Sequence, residues 1–208
     1  MQFLFYSGSP SYFGSEEAVM SFDQLVMRCA APALCGIKSA SLFSMRLDLY
    51  GRECGKLAEW NSCFASQGIF IVPLKQKDSR VLFFVYNRRS LETLFADEAV
   101  RLYLEGKGYR TSDGLDAVLA ELFLRLASCD SFPHEVGVFL GYPLEDVCAF
   151  ERTSGTGFKY SGCWKVYGDI DSAVRRMDMY KRCSAFCTGL LACGCSVPVA
   201  VQRYRRAN

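Results

Sequence analysis

Two strongly apolar segments on either side of a short polar stretch constrain the fold more than any other feature of the sequence. Residues 68–74 read GIFIVPL, residues 80–86 read RVLFFVY, and KQKDS lies between them. Such runs of aromatic and β-branched residues around a polar connection, here of five residues, are typical of a β-hairpin. The second run is apolar at nearly every position, so both faces of that strand are expected to be buried. Helices must therefore cover the sheet that contains the hairpin.

Several segments around the hairpin have the spacing of apolar residues that is typical of helices packed on a sheet. In residues 113–128 apolar side chains recur at every third or fourth position. Ser21 and Gln24 predict a capping box, and Ser90 is the expected N-cap of a helix over residues 90–105. Further helices are expected over residues 53–66 and after Asp169, which is the expected cap.

The few strands do not alternate strictly with helices, so the predicted fold class is α+β. We expect a small, largely antiparallel sheet covered by several helices, built from the hairpin 69–86 and strands near 41–47 and 162–167. The length of 208 residues suits a single domain over 1–208. Its ends, 1–19 and 202–208, are expected to be flexible.

Residues 183–202 carry no charge and are long enough to cross a bilayer. Their glycines, proline and hydroxyl residues instead predict a buried helix that ends near Gly194, followed by a short edge strand. No basic residue precedes the short apolar run at the start of the chain, so no export signal is expected. We therefore expect a cytoplasmic protein with no membrane partner.

The charge balance gives little indication of a partner. Lysine and arginine number 24 against 22 acidic residues, far from the excess of a dedicated nucleic-acid binder. No nucleic-acid partner is expected, and the composition indicates no cofactor.

The eleven cysteines are an odd number in a chain without an expected export signal, which favours reduced thiols buried as small hydrophobic residues. Cys183, Cys187, Cys193 and Cys195 could in principle ligate zinc or an iron–sulfur cluster. Their spacing lacks the C-x2-C pairs that are typical of such sites, so core cysteines are favoured and a metal or redox site stays an alternative.

The only histidine, His134, lies in the segment FPHEVGVFLGYPLEDV, residues 132–147. It could act as a general acid or base with Glu135 or Asp146 as its partner. No H-E-x-x-H metal motif follows it. The structural alternative is that Pro133 opens a short helix and that the imidazole bonds a local carbonyl.

Three motifs together resemble an uncharacterised family from anaerobic Gram-positive bacteria, domain-of-unknown-function family 3793. They are FPHEVGVFLGYPLEDV, GCWKVYG at 162–168 and APALCGIKSASLF at 31–43, where Ser39 stands in place of the family's proline. The resemblance implies no activity. It implies positions of interest, which are Lys38, His134, Glu135, Gly141, Tyr142, Pro143, Asp146, Trp164, Lys165 and Tyr167. Of the four tail cysteines, only Cys183 lies within the shared pattern.

We therefore expect a soluble bacterial module that binds a small molecule or a protein, with a regulatory role and without catalysis. Its pocket would lie where residues 132–147 meet the Trp164 strand and the Lys38 loop, lined by Lys38, Tyr142, Trp164, Lys165 and Tyr167. The alternative is an enzyme in which His134 acts as general acid or base and Lys38 or Lys165 holds an anionic substrate. A redox or metal protein using the tail cysteines is the third hypothesis.

Overall fold

A three-stranded antiparallel sheet forms the centre of the fold, and its middle strand is the second strand of the hairpin. The computed structural model describes residues 20–128 and 132–207. Its strands β1 (Ala40–Arg46), β2 (Ile69–Lys77) and β3 (Arg80–Asn87) lie in the order β1-β3-β2. β3 pairs antiparallel with both neighbours. The predicted α+β class is confirmed, as is the strand near 41–47.

The connection of the hairpin is shorter than predicted. Pairing of β2 with β3 continues past Pro73, through a shift of register between Pro73 and Lys75, as far as the pair of Lys77 with Arg80. Only Asp78 and Ser79 remain to form the turn, with φ values of 51° and 60°. Two central residues with positive φ give the type I′ turn, whose twist matches that of a hairpin. The expected five-residue connection was therefore wrong.

Helices of between 4 and 23 residues surround the sheet. They are α1 (Phe22–Leu34), α2 (Leu47–Glu53), α3 (Gly55–Ala65), α4 (Arg88–Phe95), α5 (Glu98–Gly106), α6 (Leu115–Ser128), α7 (Val136–Phe139), α8 (Leu144–Arg152), α9 (Ile170–Ala192) and α10 (Val197–Ala207). A 3-10 turn, Thr111–Asp113, precedes α6.

Side chains that accept hydrogen bonds from backbone amides mark the start of several of these helices. The capping box of Ser21 and Gln24 is confirmed at the start of α1. The single helix predicted over 90–105 is instead two helices, because Asp97 accepts a hydrogen bond from the amide of Ala99 and starts α5. Asn87, not Ser90, caps α4: its side chain accepts from the Ser90 amide at 3.0 Å.

The C-terminal part of the chain is helical, where an edge strand was expected. The predicted stop near Gly194 is confirmed, with φ of 83° there. After it, α10 covers residues 197–207, including most of the end that was expected to be flexible. The buried residues of α10 are three or four positions apart, as in a helix and not in a strand: Val197, Ala200, Val201 and Tyr204. Over residues 20–128 and 132–207, no helix is long and apolar enough to cross a membrane.

The strand expected at 162–167 is also shorter than predicted. Only Lys165–Val166 (β5) forms a strand, and it pairs with Tyr160–Ser161 (β4) in a separate two-stranded sheet. Asp169 caps α9 as expected, by accepting from the Ser172 amide. Ile170, the first residue of α9, is exposed, whereas Met177 and Tyr180 of the same helix are buried.

β3 separates two hydrophobic cores. Val81, Phe83 and Val85 point into the first core, which is built mainly from α1, α3, α10 and the C-terminal half of α9 and contains Trp60. Phe84 and Tyr86 point into the second core, built mainly from α4 to α8 and the N-terminal half of α9 and containing Trp164. The expected burial of both faces of this strand is therefore confirmed.

Asn61 stabilises the outer edge of β2, beside which no further strand lies among the residues that the structure describes. Its side-chain amide donates to the carbonyl of Ile71 at 3.0 Å and its oxygen accepts from the Ile71 amide at 2.8 Å. We predict that Asn61→Ala lowers the free energy of unfolding by about 1–3 kcal/mol in urea denaturation, because both backbone groups lose a partner. Ser62→Ala, an exposed change on the same helix, is the control. Equal stability of the two variants would contradict this role.

Candidate functional site

A cleft opens where the segment 132–147 meets the two-stranded sheet. The space between its walls is about 370 Å³ with the open mouth and the solvent in it included. The residues that form it come from the chain before α7, from α7, from the turn between α7 and α8, from α8, and from β5 with the residue before it. The lining residues are His134, Gly137, Tyr142, Asp146, Val147, Phe150, Trp164 and Lys165.

A tight turn between α7 and α8 brings the residues of the cleft together. Gly141 has φ of 77°, a left-handed conformation that ends α7. The amide of Tyr142 donates to the carbonyl of Gly137 at 3.0 Å, which closes the turn. Pro143 then occupies the N-cap position of α8. The Gly-Tyr-Pro sequence therefore places Tyr142 at one wall of the cleft and aims the first turn of α8 at β5.

Asp146 connects α8 to β5 and the loop after it. Its carboxylate is buried and accepts three hydrogen bonds, from Trp164 Nε1 at 2.8 Å and from the amides of Tyr167 and Gly168 at 2.7 and 2.9 Å. A carboxylate with three N–H donors is well satisfied without any partner on a ligand. Asp146 therefore holds two walls of the cleft in place.

The hydrogen-bond partners of Glu135 are Tyr109 and Arg125. Its Oε1 accepts from the hydroxyl of Tyr109 at 3.1 Å and from Arg125 Nη1 at 3.0 Å. Burial, with Glu135 nearby, raises the pKa of Tyr109 well above its ordinary value, so the phenol stays protonated as a donor. The structure thus gives both candidate carboxylates other partners, and the pairing of His134 with either one stays a prediction.

His134 and Lys165 flank the same aromatic ring in the cleft. The imidazole lies edge-on to Phe150, with ring centres 5.2 Å apart, and its buried Nδ1 has no hydrogen-bond partner among the residues that the structure describes. The expected bond to a local carbonyl is therefore not made at Nδ1. Lys165 Nζ donates to the carbonyl of Gly155 at 2.5 Å and lies 5.7 Å from the centre of the Phe150 ring. Both groups can act as hydrogen-bond donors to a ligand.

Tyr142 and Trp164 form an aromatic wall. Their rings are stacked, with centres 5.0 Å apart and planes 22° apart. The hydroxyl of Tyr142 donates to the carbonyl of Cys163 at 3.3 Å, and the indole N–H is held by Asp146. Both rings are therefore fixed in orientation.

Lys38 and Tyr167 do not line the cleft. Lys38 is buried, with Nζ 5.4 Å from the centre of the Tyr142 ring and 5.6 Å from that of Tyr180. Burial lowers the pKa of Lys38 from 10.5 to about 8. The hydroxyl of Tyr167 accepts a hydrogen bond from Thr153 at 3.3 Å. Of the ligand-binding residues expected from the sequence, the structure brings together Tyr142, Trp164 and Lys165.

Three residues of the cleft were not singled out from the sequence. They are Gly137, Val147 and Phe150. The spacing of Asp146, Val147 and Phe150 was the available signal, because residues separated by three or four positions share a helix face.

The tail cysteines separate into two groups. Cys183 and Cys187, one turn apart on α9, lie beside Cys35 at the C-terminal end of α1, and all three are buried. Hydrogen bonds from Cys183 and Cys35 lower the pKa of the Cys187 thiol. Cys193 is exposed and Cys195 half-buried beyond the end of α9, outside this group.

Comparison with known proteins finds one family. The sequence model of the family described as "Protein of unknown function (DUF3793)" matches residues 25–199. The chain belongs to this family. The part matched to DUF3793 includes the whole cleft, Lys38 and the three clustered cysteines. It also extends past Cys195, so the expectation that only Cys183 of the tail cysteines lies within the shared pattern was wrong. Searches of curated proteins and of solved structures each find no match.

The contacts of Asp146 predict a large effect of a small change. Asp146→Asn replaces one acceptor oxygen by an N–H2 group that faces donors, so we expect the free energy of unfolding to fall by about 2–4 kcal/mol. The measurement is urea denaturation followed by far-UV circular dichroism. Glu145→Gln makes the same chemical change at the exposed neighbouring residue and is expected to have little effect. Similar losses in both variants would contradict the role of Asp146.

Lys38 predicts a specific dependence of stability on pH. Between about pH 8 and 10.5 the unfolded chain holds the Lys38 proton that the folded protein has released, so this group makes stability rise with pH in that window. The slope is at most about 1.4 kcal/mol per pH unit. We expect Lys38→Met to be more stable than the wild type at pH 7, and this difference to shrink towards pH 10.

Urea denaturation at a series of pH values measures the difference, because other titrating groups cancel between the two proteins. Lys181→Met, at a side chain that is 64% exposed, is the control and should show no such trend. A difference for Lys38→Met that does not change with pH would contradict the proton release.

Proposed function

We propose that this protein is a small-molecule-binding module whose ligand is a single-ring organic anion, held in the cleft between His134, Lys165 and the aromatic wall. The proposal concerns binding alone. The observation that carries it is the buried, unpartnered Nδ1 of His134 in an aromatic cleft. Leaving a buried polar atom without a partner costs about 1–3 kcal/mol, which a ligand that bonds to it would recover.

The walls of the cleft favour a ligand with an apolar ring. Tyr142, Trp164 and Phe150 present aromatic carbon, and Gly137 adds no side chain between them. Flat rings stack favourably on such surfaces. The limited space of the cleft favours a single ring over a larger ligand.

The polar groups of the cleft favour a ligand with a negative charge. The imidazole of His134 and the ammonium group of Lys165 can both donate hydrogen bonds, and the ammonium group is a cation. Among the described residues that line the cleft, the one acidic side chain is Asp146, which already accepts three hydrogen bonds from the protein. A carboxylate would therefore find donors in the cleft without meeting an unsatisfied acceptor.

Catalysis by a histidine–carboxylate pair is less well supported. General acid–base catalysis needs a proton donor and acceptor within hydrogen-bond reach of the reacting group. Glu135 is bonded to Tyr109 and Arg125, and Asp146 to Trp164. The geometry supports a site that holds an anion over one that moves its protons.

Pairs of compounds that differ only in charge test the proposal. We predict that benzoate and nicotinate bind and raise the melting temperature, because they bond only to the native state, whereas benzamide and nicotinamide bind at least about tenfold more weakly. The ring signals of His134 report directly in NMR titrations, because it is the only histidine of the chain. Phenyl phosphate would show whether a phosphoryl group replaces the carboxylate.

Variants locate the binding. His134→Ala and Lys165→Met should each weaken binding of the two carboxylates about tenfold or more, with Lys181→Met as the matched exposed control. The folded state of each variant is checked by urea denaturation. Equal binding of acids and amides, or the absence of any shift in the His134 signals at millimolar ligand, would contradict the proposal.

A further inference from the structure

Three thiol groups meet in the first core, on the other side of β3 from the cleft. Cys35 closes the end of α1, and Cys183 and Cys187 project from successive turns of α9. Their sulfur atoms all lie within 4.8 Å of one another, and Cys35 Sγ is 3.7 Å from Cys187 Sγ. Their side chains come from segments that are 152 positions apart in the sequence. No other group of this kind occurs in residues 20–128 and 132–207.

The spacing of the sulfurs matches the dimensions of a thiolate-bound metal ion. With metal–sulfur bonds of about 2.3 Å, two sulfurs are about 3.8 Å apart around a tetrahedral ion and about 4.0 Å apart around a trigonal one. The separation of Cys35 and Cys187 already has this value. The third sulfur needs only a side-chain adjustment to join them.

The surroundings select the class of ion. Sulfur ligands favour soft ions over Mg²⁺ or Ca²⁺, which prefer oxygen. Tyr204 supplies the polar oxygen beside the group: its hydroxyl hydrogen-bonds with Cys183. An iron–sulfur cluster takes four protein ligands, one more than the group provides. Three thiolates suit a single d10 ion, either Cu⁺ with three sulfurs or Zn²⁺ with Tyr204 as a fourth ligand.

We propose that Cys35, Cys183 and Cys187 form a binding site for one thiophilic d10 metal ion, Cu⁺ or Zn²⁺, which connects the end of α1 to α9. Binding replaces the protons of the three thiols by the ion and releases them to solvent, with no change of oxidation state. Because all three sulfurs are buried, the ion enters only when the two helices separate briefly or while the chain folds. The site is independent of the ligand in the cleft, so either proposal can fail alone.

The decisive experiment uses the full chain, reduced with a phosphine, freed of metal with a chelator and kept without oxygen. Zn²⁺ and Cu⁺ are each titrated in competition with a chromogenic chelator. We expect one equivalent of at least one ion to bind with a dissociation constant below about a micromolar. X-ray absorption should show three sulfur ligands. The melting temperature should rise by several degrees, because the ion binds the native state.

Serine variants locate the ion. Cys35→Ser, Cys183→Ser and Cys187→Ser should each retain less than about one-tenth equivalent. The double variant Cys193→Ser/Cys195→Ser, which alters the two cysteines outside the group, should bind as the wild type does. If a core variant fails to fold, the wild type is alkylated in urea, which exposes the three buried thiols. Slower alkylation of these thiols with the metal than without it gives the same information. Uptake that all variants share, or no uptake by the reduced wild type, would overturn the proposal.

Discussion

The burial of β3 on both faces is the constraint on which the rest of the structure depends. A strand with apolar residues on both sides must be covered twice, and one chain supplies both covers in separate parts of its sequence. α1, α3 and α10 cover one face, whereas the helices from α4 to α8 cover the other. α9 contributes to both cores: its Met177 lies in the second and its Cys187 in the first. A site in the second core therefore lies on a sheet whose opposite face is packed against the first core.

The cleft shows how a buried carboxylate can hold two walls of a cleft together through hydrogen bonds within the protein. Asp146 accepts from one side chain and two backbone amides, and so fixes β5 against α8. Removing one partner from such a group is costly, because the others are left unpaired in a medium of low dielectric constant. His134 differs, since its Nδ1 is buried and unpartnered within the described part of the chain. That difference separates a residue whose hydrogen bonds are all made within the protein from one with a hydrogen-bonding atom still unused within the described residues.

Features set by neighbouring residues were predictable from the sequence, and features set by distant contacts were not. The capping box at Ser21 and the hairpin depend on local backbone preferences, and His134, Tyr142 and Asp146, all from the motif 132–147, line one cleft. The partners of Asp146 are 18 to 22 positions away, so its structural role had no local signal. Cys35 is still farther from the cysteines that it meets. The break at Asp97 was missed because the apolar residues of 90–105 also fit one continuous helix. The helix after Gly194 was missed because its apolar residues also fit a short edge strand.

The division into two cores also gives the molecule two built-in optical reporters. The chain has two tryptophans, with Trp60 in the first core and Trp164 in the second. Trp60 stacks on Phe22 of α1, with ring centres 5.3 Å apart, whereas Trp164 stacks on Tyr142 at the wall of the cleft. Fluorescence of a protein that retains one of the two indoles therefore reports on one face of the sheet at a time. Loosening of the first core and rearrangement around the cleft can thus be followed as separate events in one chain.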